Sequence, residues 1–256
     1  MILTQKKINY ELLWRFIKTD FKLRYYGSFL GFFWALLKPL FIFAVLYLVF
    51  TVFINWNILN YQLYLLLGII IWNFFAEATI NGINSLQNKS GLLKKVYFPR
   101  IFVVISSTTT SLLVFLLNIL VFFLFYIFSD LSFSLVVFFF LPYAIILYFL
   151  ALSISLSLSI LQVYFKDLIQ IWEILLQAFF YLTPIIYPIS LVPEAYRHFL
   201  FLNPLTGIIQ YFRLIIIEHK IPSVLGTFYL FLFVFLFFLI SYYIFNKYSK
   251  KIIELL

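Results

Sequence analysis

Cations at helical spacing are the most suggestive chemistry in this chain. Lys7, Glu11, Arg15, Lys18 and Lys22 recur at steps of three and four, while Leu12, Leu13, Phe16, Ile17 and Phe21 fill the other face. This predicts an amphipathic helix over 7–24 that lies flat in a membrane interface, its cations facing anionic headgroups or a soluble partner. Arg24 follows it. A second basic cluster, Lys89, Lys94, Lys95 and Arg100, surrounds a short helix within 81–100 that Pro99 limits. Lys166-Asp167 is a third charged spot. These groups suit docking, not bond making. The glycines form neither a P-loop nor a dinucleotide-binding loop. A structural metal site takes about four ligands, which His198 and His219 do not assemble, and the chain has no Cys. No catalytic, cofactor or metal residues are expected.

The elements that carry these residues follow from composition. The chain is 65% hydrophobic and 11% charged, where a soluble domain carries about 25% charged residues. Its solvent must be lipid. Charge is absent between Lys38 and Glu77, Arg100 and Asp130, Asp130 and Lys166, Glu173 and Glu194, and Lys220 and Lys247. A span needs about 20 apolar residues. The first gap holds two, broken at Asn55-Trp56-Asn57 and Asn60, and the others hold one each. The expected spans are 34–54, 61–80, 101–128, 134–162, 169–188 and 224–246. An even number places both termini on one side, together with 15 of the 18 Lys and Arg. The positive-inside rule makes that side the cytoplasm. Arg197, Arg213 and Lys220 are then the basic residues of the outer loop. The net charge of +9 reflects this bias toward anionic lipid and not nucleic-acid binding.

Residues 189–223 are too apolar for a plain loop. Pro193 starts one short helix, and Asn203-Pro204 is a cap and first-position pair for another, from Leu205 to about Glu218. Both are too short to span, so a re-entrant pair in the outer leaflet is expected. Within the spans, titratable groups are nearly absent, which leaves no proton relay and points to energy from elsewhere. Hydroxyls do enter: Ser106 to Ser111 without a break, and Ser153, Ser155, Ser157 and Ser159. Most should bond helix carbonyls or a neighbouring helix, and some are candidates to line a polar passage. Gly27 and Gly31 permit close helix packing.

Several ordered motifs carry a family resemblance. Lys22-Leu23-Arg24-Tyr25, Ser28-Phe29-Leu30-Gly31-Phe32-Phe33-Trp34 and Pro39-Leu40 come first. Phe98-Pro99-Arg100, Lys166-Asp167, Thr183-Pro184-Ile185-Ile186-Tyr187-Pro188 and Asn203-Pro204 follow. The chain resembles permease subunits of bacterial type-2 ABC exporters of polysaccharide, most closely the Wzm-type O-antigen group. Lys166 stands where that family often has Arg, keeping the charge but losing the planar fork. The resemblance implies an all-α integral membrane protein with six spans, an interfacial N-terminal helix and two re-entrant outer helices. It implies an inner-membrane homodimer with two separate ATPase subunits that hold ATP and Mg. The cargo would be undecaprenyl-linked polysaccharide moving between the protomers. Arg15, Lys18, Lys22, Arg24, Lys89, Lys94, Lys95, Arg100, Lys166 and Asp167 would then serve ATPase coupling. Candidates for the passage or its gate are Lys38, Ser106, Thr109, Tyr181, Tyr187, Asn203 and Tyr211. A sister exporter of teichoic acid or capsule, or a drug-efflux permease of the same superfamily, is the alternative reading, since no motif specifies the cargo. A membrane-embedded glycan or lipid transferase should instead show His/Asp/Glu clusters at one membrane face.

Overall fold

The computed structural model describes residues 2–26, 31–54, 56, 58–129, 131–249 and 251–252, with side chains from Glu11 onward. Gly27 to Leu30, Asn55, Asn57 and Asp130, and the side chain of Lys7, lie outside the described residues. Every regular element among them is helical. The helices are α1 (Ile2–Tyr25), α2 (Phe33–Tyr47), α3 (Tyr61–Asn88), α4 (Ser90–Lys95) and α5 (Ile101–Ile127), then α6 (Phe140–Tyr164), α7 (Leu168–Leu182), α8 (Glu194–Leu200), α9 (Pro204–Ile216) and α10 (Val224–Tyr248).

The centre of the bundle is α3. Its Leu65, Leu66 and Leu67 are all buried, so this stretch of the helix is covered on every side. It packs most extensively against α5 and α6, and also against α2, α7 and α9. Close approach to α6 depends on Gly82, where an added Cβ would lie 2.2 Å from Ser155 Oγ. The hydroxyls of α5 and α6 mostly bond carbonyls of their own helix: Thr108 to Val104, Thr110 to Ser106 and Ser155 to Ala151. Ser157 Oγ reaches Ser241 Oγ on α10 at 2.9 Å.

Among the described residues, five helices are long and apolar enough to cross a membrane: α2 with its π-helical continuation Leu48–Phe53, α3, α5, α6 with the preceding 3-10 turn Leu135–Phe139, and α10. The bent pair α8–α9 meets the same test as a unit, with 103° between its halves. Helix α7 has 15 residues, about 22 Å at the usual rise, short of a hydrocarbon core of about 30 Å. It stops at Leu182, and Thr183 to Ile186 continue as buried non-helical chain. The apolar run of 169–188 is therefore part helix and part buried turn. At the other boundary, α3 runs on to Asn88, well past position 80.

Pro39 sits inside α2 and removes the amide that would serve the carbonyl of Ala35. Asn118 of α5 replaces it, donating Nδ2 to Ala35 O at 3.2 Å. Apart from Pro39, no residue of α2 is buried, and on α10 only Val234, Ser241 and Phe245 are. These two helices present nearly continuous apolar surface, as lipid-facing helices do.

Gly82→Leu should lower the melting temperature of the detergent-solubilised protein by several degrees, because overpacking costs about 1–3 kcal/mol. Gly91, where an added Cβ meets nothing within 4 Å, is the control. Gly91→Ala should leave the melting temperature unchanged or slightly raised.

Candidate functional site

Two ion pairs fasten α1 beneath the bundle. Asp20 Oδ2 accepts from Lys89 Nζ at 2.6 Å and from Ser106 Oγ at 2.9 Å, while Lys89 also lies 2.9 Å from Ser106 Oγ. Arg24 donates to Glu77 Oε1, and Ser111 Oγ ties in both Arg24, at 3.4 Å, and Asn81, at 3.2 Å. Apolar contact completes the joint: Ile17 is buried and the Phe16 ring meets Phe98 edge-on at 5.2 Å. Arg24, Lys89 and Ser106 are thus engaged within the chain. Asp20 and Glu77, absent from the sequence-based candidates, are their partners. Arg15, Lys18 and Lys22 point outward from α1, with Lys18 over Trp14 and Lys22 over Tyr26. Lys94 and Lys95 end α4 exposed, Arg100 immediately precedes α5, and Lys166-Asp167 is exposed just before α7.

At the opposite end of the bundle, the break after α7 is held by side chains. Arg213 of α9 donates to the carbonyls of Pro184 at 2.6 Å, Ile185 at 2.7 Å and Tyr64 at 3.1 Å. Its guanidinium carbon lies 3.3 Å from the centre of the Tyr64 ring. Tyr61 Oη donates to Ile186 O at 3.0 Å and Tyr64 Oη to Tyr187 O at 3.2 Å. Tyr187 Oη in turn reaches the carbonyls of Tyr181 and Leu182. Four consecutive carbonyls, 184 to 187, therefore each accept from a side chain. Gly68 makes room, since a Cβ there would lie 2.7 Å from Arg213 Nη2. Asn203 caps α9 at Leu205 N and donates to Thr183 Oγ1 at 3.1 Å. The sequence places Arg213 in an outer loop, but it is 2% exposed. Among the described residues no carboxylate pairs with it. Carbonyl dipoles and an aromatic face offset its charge instead.

Helix α7 has three distinct faces. Trp172 and Leu176 pack inward, with Trp172 Nε1 donating to Thr79 Oγ1 of α3 at 3.0 Å. Ile171, Ile174, Leu175 and Leu182 form an exposed apolar face. Between these two faces runs an exposed stripe of Gln170, Glu173, Gln177 and Tyr181, spaced to align at 3.6 residues per turn. Tyr181 is 68% exposed at its end. The three residues before it escaped notice because Glu173 reads as a helix-end charge. The signal that finds them is their period of three to four residues. The remaining passage candidates lie apart. Thr109 is hydrogen-bonded to Tyr148 Oη at 2.9 Å, and Tyr211 packs on Tyr143 and crowds Gly226. Lys38 lines a cavity of about 230 Å³ between α2, α3 and α5.

Arg213→Gln should speed amide hydrogen exchange at Ile185 to Tyr187 and destabilise the fold more than Tyr61→Phe does. It strips donors from up to three buried carbonyls, each worth about 1–3 kcal/mol when left unpaired, whereas the tyrosine change strips one.

Comparison with known proteins agrees with this architecture. Residues 11–217 match the family model described as ABC-2 type transporter. A protein of Myxococcus xanthus named O-antigen export system permease protein RfbA is 32% identical over 215 residues, covering 83% of this chain and 82% of that one. Two Klebsiella pneumoniae proteins of the same name are 29% and 30% identical over 205 residues, each covering 80% of this chain and 79% of its own. With most of its length matched to that model and its helices arranged as a membrane bundle, the chain belongs to the ABC-2 type transporter family.

Proposed function

We propose that this chain is the membrane permease subunit of an ATP-driven exporter of lipid-linked O-antigen polysaccharide. Two copies would form the passage, and two separate ATPase subunits would supply the energy. The observation that carries the reading is the polar stripe on α7. A charged group facing hydrocarbon costs about 2.5–3.5 kcal/mol at a helix centre, so the exposed Glu173, on one stripe with the uncharged Gln170 and Gln177, is better served by water, a partner or hydroxyl-rich cargo than by lipid. Two such faces from two protomers make a wet, sugar-compatible wall. The names of the similar proteins support O-antigen as the cargo.

The distribution of basic residues supports an orientation with α1, α4 and both termini in the cytoplasm. Exposed Arg15, Lys18, Lys22, Lys94 and Lys95 then face the ATPase. Motion of α1 would reach α3 through Arg24–Glu77 and α5 through Asp20–Ser106. The bent pair α8–α9 would close the outer end as a re-entrant unit, with Tyr181, Tyr187 and Asn203 at its junction with α7. The chain itself has no P-loop sequence, so ATP and Mg would reside on the partner.

Replacing Gln170, Glu173 and Gln177 together by Leu should abolish O-antigen display on cells while the complex still purifies with its ATPase. Undiminished display would contradict the reading. Charge reversal of Lys94 and Lys95 should do the opposite, weakening co-purification of the ATPase at least about tenfold, or by about 1.4 kcal/mol. Normal association would remove α4 from the docking surface.

A further inference from the structure

The cavity between α2, α3 and α5 has a donor and acceptor set of which the proposed coupling path uses only Glu77 Oε1. It is lined by Lys38, Asn73, Glu77, Ser111 and Asn118 among apolar side chains and encloses about 230 Å³. That is below the roughly 300–1,000 Å³ of sites for drug-sized ligands, so it suits a headgroup better than a sugar chain. It lies toward the α1 end of the bundle and reaches the surface beside α2, where Lys38 and Trp34 are exposed.

The free valences define the ligand. Asn118 Nδ2 is spent on the carbonyls of Ala35 and Val114. Ser111 is spent on Arg24, Asn81 and Glu77. Among the described residues, Lys38 makes no ion pair or hydrogen bond, and Asn73 Nδ2 is buried without a partner. Glu77 accepts through Oε1 only and keeps its side chain 37% exposed. The spare groups are therefore two donors, one of them cationic, and one carboxylate oxygen. A phosphate answers Lys38 and Asn73, and a primary ammonium answers Glu77 Oε2. An anionic headgroup would set a second negative charge beside Glu77, and a quaternary ammonium has no N–H to donate to it.

We propose that this cavity binds the zwitterionic phosphoethanolamine headgroup of a membrane lipid, whose chains lie along the exposed apolar face of α2. Native mass spectrometry of the detergent-solubilised protein, titrated with dioleoyl phosphatidylethanolamine, phosphatidylcholine or phosphatidylglycerol, tests it. Phosphatidylethanolamine should be retained about tenfold better than either competitor, equivalent to about 1.4 kcal/mol. Lys38→Gln and Asn73→Leu should each reduce its retention several-fold. Glu77→Gln, which keeps an acceptor for Arg24, should erase the preference over phosphatidylglycerol. Lys220→Gln, at an exposed position remote from the cavity, should change nothing. If Glu77→Gln fails to fold, Lys38→Glu at its exposed position serves instead and should abolish phosphatidylethanolamine retention. Equal or stronger retention of phosphatidylglycerol by the unmodified protein would overturn the proposal. So would a preference that survives both the Lys38 and the Glu77 substitutions.

Discussion

A chain in lipid has no water to satisfy its backbone, and that constraint shapes this molecule most where it breaks a helix. Non-helical chain at membrane depth is tolerated only when protein supplies the missing hydrogen bonds. After α7, the carbonyls of Pro184, Ile185, Ile186 and Tyr187 are served by Arg213, Tyr61 and Tyr64. These donors come from α3 and α9, so the break, the central helix and the bent pair form one unit. The cation at its centre has no counterion among the described residues, and truncating such a group costs far more than its net contribution suggests. Gly68 is the small residue that admits it.

The same constraint sorts the helices by what they face. Between Leu63 and Trp72, where it is almost wholly covered, α3 carries no charged or amide side chain. Along α2 and α10 the surface is apolar, fit for lipid. Along α7 the exposed surface divides into an apolar face and a polar one, and at 15 residues the helix is too short to span unaided. At the α1 end, where water and headgroups begin, polarity returns as ion pairs: Asp20 with Lys89, and Arg24 with Glu77. These pairs join an exposed surface helix to the two helices at the core. A push on α1 has a direct mechanical path into the bundle.

Much of this was legible in the sequence. Charge-free intervals located the apolar segments, and Asn203-Pro204 marked the start of α9. Ordered short motifs pointed to the right family. Three features were not legible, each for a physical reason. Arg213 counts as a loop charge because its compensation comes from carbonyls and a ring distant in sequence, which leave no local pattern. The end of α7 was hidden because an apolar run does not distinguish helix from buried irregular chain. The pairings of Glu77 and Asp20 leave no local pattern, since their partners lie 53 and 69 residues away. The polar stripe of α7 was readable by period but was obscured by the surrounding apolarity.

The account stands on that stripe facing water in the assembled transporter. The chain has no Cys, so single cysteines along α7 can be labelled without background. In membranes carrying the full complex, a membrane-impermeant thiol reagent should modify cysteines at Gln170, Glu173 and Gln177 and spare those at Ile171, Ile174 and Ala178. Labelling that follows the apolar face, or that reaches neither face, would contradict a wet passage along α7.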